Sequence, residues 1–188
     1  MSAPELRPND LYNQLRSGTG EGALFANLFV APDGKVEECE VYYSKVSKAQ
    51  SAKFCSNAIG LTVSSPAVGP DGKPEFGILD FGRIVIRTTS SGPSTAPKFE
   101  LPPDLEVNVN ALPDEHQNKL RTRLAILVDD HGVVAACQPD QDTPADYAKV
   151  ACDQVQQLTT QVRKNAGGSA VRYVTGFVVD FVKDRTTG

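Results

Sequence analysis

Residues 28–39 read LFVAPDGKVEEC: an apolar run, a Pro-Asp-Gly turn and then a cysteine. Residues 126–137 read ILVDDHGVVAAC, with a similar apolar run, a glycine-containing turn and a cysteine at the same distance from that glycine. An Asp-Gly turn between two β-rich runs is typical of a β-hairpin. The two stretches are offset by 98 residues, and two further matches, Cys55 with Cys152 and Thr62 with Thr159, are offset by 97. We therefore predict an internal duplication.

The duplication divides the 188 residues into three parts. Residues 1–87 are assigned to a first repeat and residues 105–188 to a second. Residues 88–104 form a predicted linker, because the sequence TTSSGPSTAP at residues 88–97 is rich in Ser, Thr and Pro and poor in apolar side chains. The length alone allows one domain or two small ones, and the repeat favours two.

Each repeat is predicted to contain a short helix, a two-stranded hairpin, a longer helix and a final strand. We therefore predict an α+β fold: two repeated units, each a three-stranded antiparallel sheet with a helix packed on one face. Ser47 and Thr143 are the expected N-caps of the longer helices. In the first repeat, the predicted helices are 9–18 and 47–60 and the predicted strands are 24–31, 36–43 and 76–87. In the second repeat, Pro113 opens the short helix, the longer helix is 143–167, and the predicted strands are 121–128, 133–138 and 171–182.

Two further sequence patterns concern the longer helix of the second repeat and the final strands. The longer helix of the second repeat carries an apolar stripe with helical spacing, which extends from Tyr147 through Ala151 and Val155 to Leu158 and Val162. A glycine near the middle of each final strand predicts a β-bulge there.

The four cysteines are Cys39, Cys55, Cys137 and Cys152, and no Cys-x-x-Cys motif occurs. Their recurring spacing favours two local disulfides, each joining the second strand of a repeat to its longer helix, and disulfides indicate an oxidising compartment. Four buried free thiols or one four-thiolate metal site are the alternatives. The N-terminal residues MSAPELRP contain no apolar signal-peptide region, so either a leader has been removed or the protein is cytosolic. The predicted disulfides favour a removed leader.

The composition argues against several classes of function. The net charge is −4, so no overall basic field attracts nucleic acid, and no apolar run is long enough for a membrane span. No catalytic motif of the common hydrolase or nucleotide-binding types is present. The turn Asp129-Asp130-His131 contains metal-ligand residue types, but we expect that three adjacent turn residues cannot converge on one ion. We therefore predict no metal, no cofactor and no enzymatic activity.

The segment NLFVAPDGKV at residues 27–36, with residues 54–59, Pro66 and residues 84–86 downstream, resembles the C-terminal domain of TonB. The resemblance covers residues 9–87 and, more loosely, residues 112–184, and the paired cysteines are similar to those of a cysteine-containing TonB-like subset. It implies a periplasmic domain in which the final strand presents an edge to an extended segment of a partner, as in TonB-dependent transport. The duplication and the lack of a long Pro/Lys-rich spacer depart from that pattern.

We therefore expect a non-enzymatic periplasmic protein-binding or scaffold module that pairs an extended peptide with an open strand edge. Such an edge could instead pair with a second copy and form a homodimer. The alternative function is a hydrolase or an enzyme inhibitor with a site in the cleft between the two repeats. The predicted edge residues are Ile78, Phe81, Ile84, Ile86, Val174, Phe177, Val179 and Phe181.

Overall fold

The computed structural model describes residues 1–5, 22–85, 102–114 and 116–183. The predicted first helix at residues 9–18 and most of the linker lie outside these residues. The described elements are β1 (Gly22–Val30), β2 (Val36–Ser44), α1 (Lys48–Ala58), β3 (Ala67–Val68), β4 (Pro74–Val85), β5 (Leu105–Val109), β6 (Lys119–Val128), β7 (Val134–Pro139), α2 (Ala145–Val155), β8 (Arg163–Lys164), β9 (Ala170–Val171) and β10 (Tyr173–Lys183). The α+β class is confirmed.

The main strands form one continuous sheet of eight strands rather than two separate sheets. Its order is β2-β1-β4-β10-β6-β7, with β3 paired to β4 and β5 paired to β10. Strand β1 is antiparallel to β2 and β4, and β6 is antiparallel to β7 and β10. The two groups meet where β4 and β10 run parallel, with residues 76–78 beside residues 173–175.

The two helices of the described residues, α1 and α2, pack on opposite faces of this sheet. Leu28 of β1 belongs to the buried cluster that contains Phe54 and Ala58 of α1. The adjacent residue Phe29 belongs to the cluster that contains Ala151 and Val155 of α2. Because successive side chains of a strand point to opposite faces, α1 and α2 must lie on different sides. Both faces of β1 are therefore buried, and the core of one half includes an aromatic ring from the other.

Local signals explain the parts of the fold that match the predictions. Ser47 caps α1 through a capping box with Gln50, which satisfies backbone N–H groups that the first helical turn leaves free. Gly34 and Gly132 adopt φ angles of 85° and 84° in the two hairpin turns, a region that glycine enters without steric cost.

The second half departs from its predicted helices. Helix α2 ends at Val155, has Pro144 as its N-cap, and receives no side-chain cap from Thr143. The chain after the helix instead returns to the β6–β7 hairpin, where Thr159 pairs with Val133, so the outer part of the predicted apolar stripe is not helical. The helix predicted from Pro113 is also wrong, since the described residues there form turns that lead into β6.

The predicted bulges in the final strands are also wrong. The pairing of β4 with β1 and of β10 with β6 is regular at Gly82 and Gly176. A Cβ atom on Gly82 would lie 2.6 Å from the Phe25 ring, so this glycine permits close packing of an aromatic side chain.

Candidate functional site

The two disulfides join a strand to a helix in each half, as the cysteine spacing predicts. Cys39 of β2 is bonded to Cys55 of α1, and Cys137 of β7 is bonded to Cys152 of α2. The Cα–Cα distances are 5.3 and 5.6 Å, within the usual range for disulfides. No free cysteine remains, so the alternatives of free thiols and a thiolate metal site are ruled out by this geometry.

Four of the predicted edge residues lie inside the sheet, which corrects the prediction. Ile78 of β4 lies between Phe29 of β1 and Thr175 of β10. In β10, Val174, Val179 and Phe181 each have one register partner in β6 and another in β4 or β5. Backbone groups that are paired on both sides cannot accept an added strand.

The other predicted edge residues are placed as follows. Phe81 and Ile84 pair with β1, and Phe177 pairs with β6. Ile86 lies outside the described residues. Beside Phe177, the backbone N–H of Val178 donates to the Asp104 carboxylate (2.7 Å), and the backbone N–H of Asp104 donates to the Val178 carbonyl (2.9 Å). Asp104 therefore occupies the backbone groups of β10 at this position.

The ends of the sheet are β2 and β7. In β7, the Asp140 N–H donates to the Arg123 carbonyl (2.9 Å), and Cys137 stands opposite Ile126. Because hydrogen-bonded and non-bonded pairs alternate along antiparallel strands, the N–H and C=O of Cys137 and the C=O of Pro139 point away from β6. The β7 edge therefore offers backbone donors and acceptors to a further strand.

The two end strands differ in charge. Strand β7 has the sequence VAACQP and carries no charged side chain. Strand β2 contains Glu37, Glu38 and Glu40, and acidic side chains on an edge discourage pairing with other chains. Two apolar side chains flank the start of β7, since Val133 is 45% exposed, Val162 is 40% exposed, and Val162 lies beside the β6–β7 turn at Gly132.

A small hairpin, formed by β8, β9 and the turn between them, reaches from the second half across β2. Arg163 of β8 donates from Nη2 to Oε2 of Glu40 (3.1 Å), and the Ala166 N–H donates to Glu37 (3.3 Å). This hairpin therefore covers part of the β2 edge with polar contacts.

A cavity of about 190 Å³ lies beneath the start of that hairpin. Its floor is the face of β1, β2 and β4 opposite to α1, and its roof comes from the segment that enters β8. It is lined by Asn27, Phe29, Glu38, Cys39, Glu40, Ile78, Gln161 and Arg163. The sequence predicted a cleft between the repeats as an alternative site but assigned none of these lining residues to it, because β8 falls within the segment that was assigned to a longer helix.

Two further polar groups shape the sheet. The hydroxyl of Tyr42 donates to Asp80 (2.8 Å), and desolvation, reinforced by that bond, raises the pKa of Tyr42. Desolvation also raises the pKa of Asp104, although the Val178 N–H lowers it in part, and the charge of nearby Asp80 raises it further.

Asp180 of β10 is almost fully buried and forms a bidentate pair with Arg121 at 2.7 and 2.8 Å. That pair, with Lys119 at 3.4 Å, holds the pKa of Asp180 below its usual value. Because the aspartate bridges adjacent strands β10 and β6, this pair serves the structure of the sheet.

The side chains of Asp129, Asp130 and His131 lie closer together than we expected. Their potential ligand atoms lie within 4.8 Å of one another, so the expectation that they cannot converge is wrong. Asp129 nevertheless accepts the backbone N–H groups of His131 (2.9 Å) and Val133 (2.8 Å), which lower its pKa. These bonds stabilise the hairpin turn, as Asp side chains commonly do.

No protein-family model matches this chain, and searches of curated proteins and of solved structures return no match. Among the residues that the structure describes, no helix has the length and apolar character needed to cross a membrane.

Proposed function

We propose that this protein is a non-enzymatic binding module that captures an extended peptide at the β7 edge. The observation that carries the proposal is the pair of backbone groups at Cys137 that point away from the sheet on a strand without charged side chains. An incoming strand would form main-chain hydrogen bonds there, as in other complexes formed by strand addition. The exposed Val133 and Val162 favour a partner with apolar residues at its end.

The proposed binding edge differs from the edge that the resemblance to TonB suggested. In this sheet, the final strands β4 and β10 are internal, so strand addition moves to the outermost strand of the second half. The β2 edge is the weaker candidate, because its carboxylates and the β8–β9 hairpin compete with an added strand.

Two observations support a tandem TonB-like duplication. Thr62 pairs with Lys35, and Thr159 pairs with Val133, so each half closes its hairpin turn with the same threonine position. The equivalent strands β4 and β10 also run parallel to each other. Two similar units joined through parallel strands are related by a half-turn about an axis that runs along those strands. This half-turn reverses the faces of the second unit, which accounts for the helices on opposite faces of the sheet.

We place the protein in the periplasm. The two disulfides favour an oxidising compartment, and the resemblance to the cysteine-containing TonB-like subset selects this one. Fractionation of the native host, with alkylation of cell extracts before reduction, tests the placement: unmodified cysteines in the periplasmic fraction support it, and alkylated cysteines in the cytosolic fraction contradict it.

The binding edge is tested with an array of 12-residue peptides and the Ala135→Lys variant. A lysine at this exposed position of β7 should repel strand addition without disturbing the core, so bound peptides should be lost. Ala170→Lys introduces the same change at an exposed position of β9 and should leave binding unchanged. Equal binding by both variants would contradict the proposal. A concentration-dependent dimer that only Ala135→Lys dissolves would assign the edge to a second copy instead.

The cavity between the two halves favours the alternative of a hydrolase or inhibitor site more than any other feature does. Its lining offers carboxylates, amides and a guanidinium, while its only sulfur is in a disulfide. These groups suit binding better than nucleophilic catalysis. Turnover of ester or peptide substrates that disappears in Glu38→Gln would support the enzyme, and its persistence in that variant would exclude this cavity.

A further inference from the structure

The cavity beneath the β8–β9 hairpin has the features of a small binding site. We propose that it binds an aminoacyl group with a free α-ammonium, as found at the amino terminus of a peptide or in an amino-acid amide. The floor of the cavity lies on β1, β2 and β4, whereas strand addition would occur at β7. The proposal uses none of the backbone groups of β7, so it does not rest on the strand-addition function.

Charge is the first argument for a cationic ligand. The lining contains two carboxylates, Glu38 and Glu40, and one guanidinium, Arg163. Arg163 is paired with Glu40 at 3.1 Å, which leaves the exposed carboxylate of Glu38 as a negative charge at the rim of the cavity, unpaired among the described residues. A ligand with one ammonium group would neutralise the lining, whereas a ligand with a carboxylate would bring a further negative charge to it. A charge-assisted hydrogen bond from an ammonium is among the stronger polar contacts.

An unused donor is the second argument. The side chain of Arg163 is only 15% exposed, and its Nε–H has no hydrogen-bond partner among the described residues. A buried donor without a partner costs about 1–3 kcal/mol, so a small shift of the Arg163 side chain that lets this N–H meet a ligand acceptor would be favourable. An aminoacyl group carries its carbonyl oxygen two bonds from the carbon that bears the ammonium, so one ligand offers an acceptor for Arg163 and a cation for Glu38, both of which line the cavity.

The apolar floor and the volume limit the size of the ligand. Phe29 is buried and stacked on Phe76 at 5.4 Å, and Ile78 lies beside it. A cavity of about 150 Å³ accommodates a benzene molecule, so 190 Å³ accommodates a branched aliphatic side chain. The amides of Asn27 and Gln161 complete the polar rim. An aminoacyl group with a leucine-sized side chain fits these features.

The test compares four probes that differ in one group each, with binding followed by two-dimensional NMR of the full chain. Leucinamide carries both the ammonium and the carbonyl, and we expect it to shift the Arg163 Nε–H and the side-chain amides of Asn27 and Gln161. N-acetyl-leucinamide lacks the ammonium, isoamylamine lacks the carbonyl, and leucine adds a carboxylate. Each of these three should bind about tenfold more weakly than leucinamide.

Variants locate the contact. Glu38→Gln keeps the shape of the side chain and should weaken leucinamide binding by about tenfold. Glu106→Gln makes the same change at an exposed position of β5 and should have no effect. The tripeptide Leu-Gly-Gly distinguishes the sources: binding as tight as that of leucinamide indicates a peptide terminus, and weaker binding indicates a free amino-acid derivative. No shift of the Arg163 Nε–H with leucinamide, or equal binding by Glu38→Gln, would overturn the proposal and leave a solvent-filled cavity.

Discussion

Removing either disulfide should lower the urea midpoint of unfolding, and each variant should still unfold in a single transition. Cys39–Cys55 spans 16 residues and Cys137–Cys152 spans 15. Loop-closure entropy predicts that each disulfide contributes about 3 kcal/mol to the free energy of unfolding of the protein. Because β4 and β10 are neighbours in one sheet, and Phe29 of β1 is buried in the cluster that contains α2, the two halves should unfold together. With a urea m-value of about 2 kcal/mol/M, each double Cys→Ala variant should lower the midpoint by about 1.5 M.

The assay is urea unfolding followed by circular dichroism, supported by calorimetry, on the wild type, each double variant and the quadruple variant. One transition is expected in every protein, and the losses in the two double variants should add in the quadruple variant to within about 0.5 kcal/mol. The wild type measured with reductant serves as a control for the alanine substitutions themselves. Two separate transitions, each sensitive to only one disulfide, would refute the reasoning, since they would show that the halves unfold independently.

Three further predictions concern single positions. Gly60→Ala should lower the free energy of unfolding by about 1–2 kcal/mol, because alanine is strained at a positive φ. Gly132→Ala should lower it distinctly more, because the added Cβ would also lie 2.5 Å from the Thr160 carbonyl oxygen. Thermal unfolding of the two variants measures this difference. Asp180→Asn should lose about 1.5–3 kcal/mol at pH 7. Because the folded-state pKa of Asp180 is lowered, that loss should shrink as the pH falls below about 4 in urea titrations at several pH values. The pKa of Asp104 is raised, so Asp104→Asn should raise the urea midpoint at pH 7 and have no effect once the pH is low enough to protonate the aspartate.

Much of the local structure could be predicted from the sequence because its causes are local. The hairpin strands follow from period-two patterning around turns at Gly34 and Gly132, and the start of α1 follows from the capping box at Ser47. The recurring cysteine spacing predicted the two disulfides for a similar reason, since each bond joins neighbouring elements of one half.

The predictions failed where distant contacts compete with local preference. An apolar stripe with helical spacing continues beyond Val155, but the chain there is held by a pairing of Thr159 with Val133 and by a bond from the Thr160 N–H to the Gly132 carbonyl. Strand β5 was missed although Leu105, Val107 and Val109 alternate with polar residues, because the segment adjoins a region with linker composition. Its pairing with β10 depends on a strand some 70 residues later.

The sequence by itself determined the α+β class, the two hairpins and the disulfides that join each helix to its strand. Only the tertiary structure decided that β4 and β10 meet in the middle of one sheet and that β7 is left at its end. It also decided that a hairpin from one half roofs a cavity on the other. The physical reason is that turns, caps and side-chain alternation act over a few residues. Which backbone edges pair depends instead on how distant parts of the chain bury their apolar faces against each other.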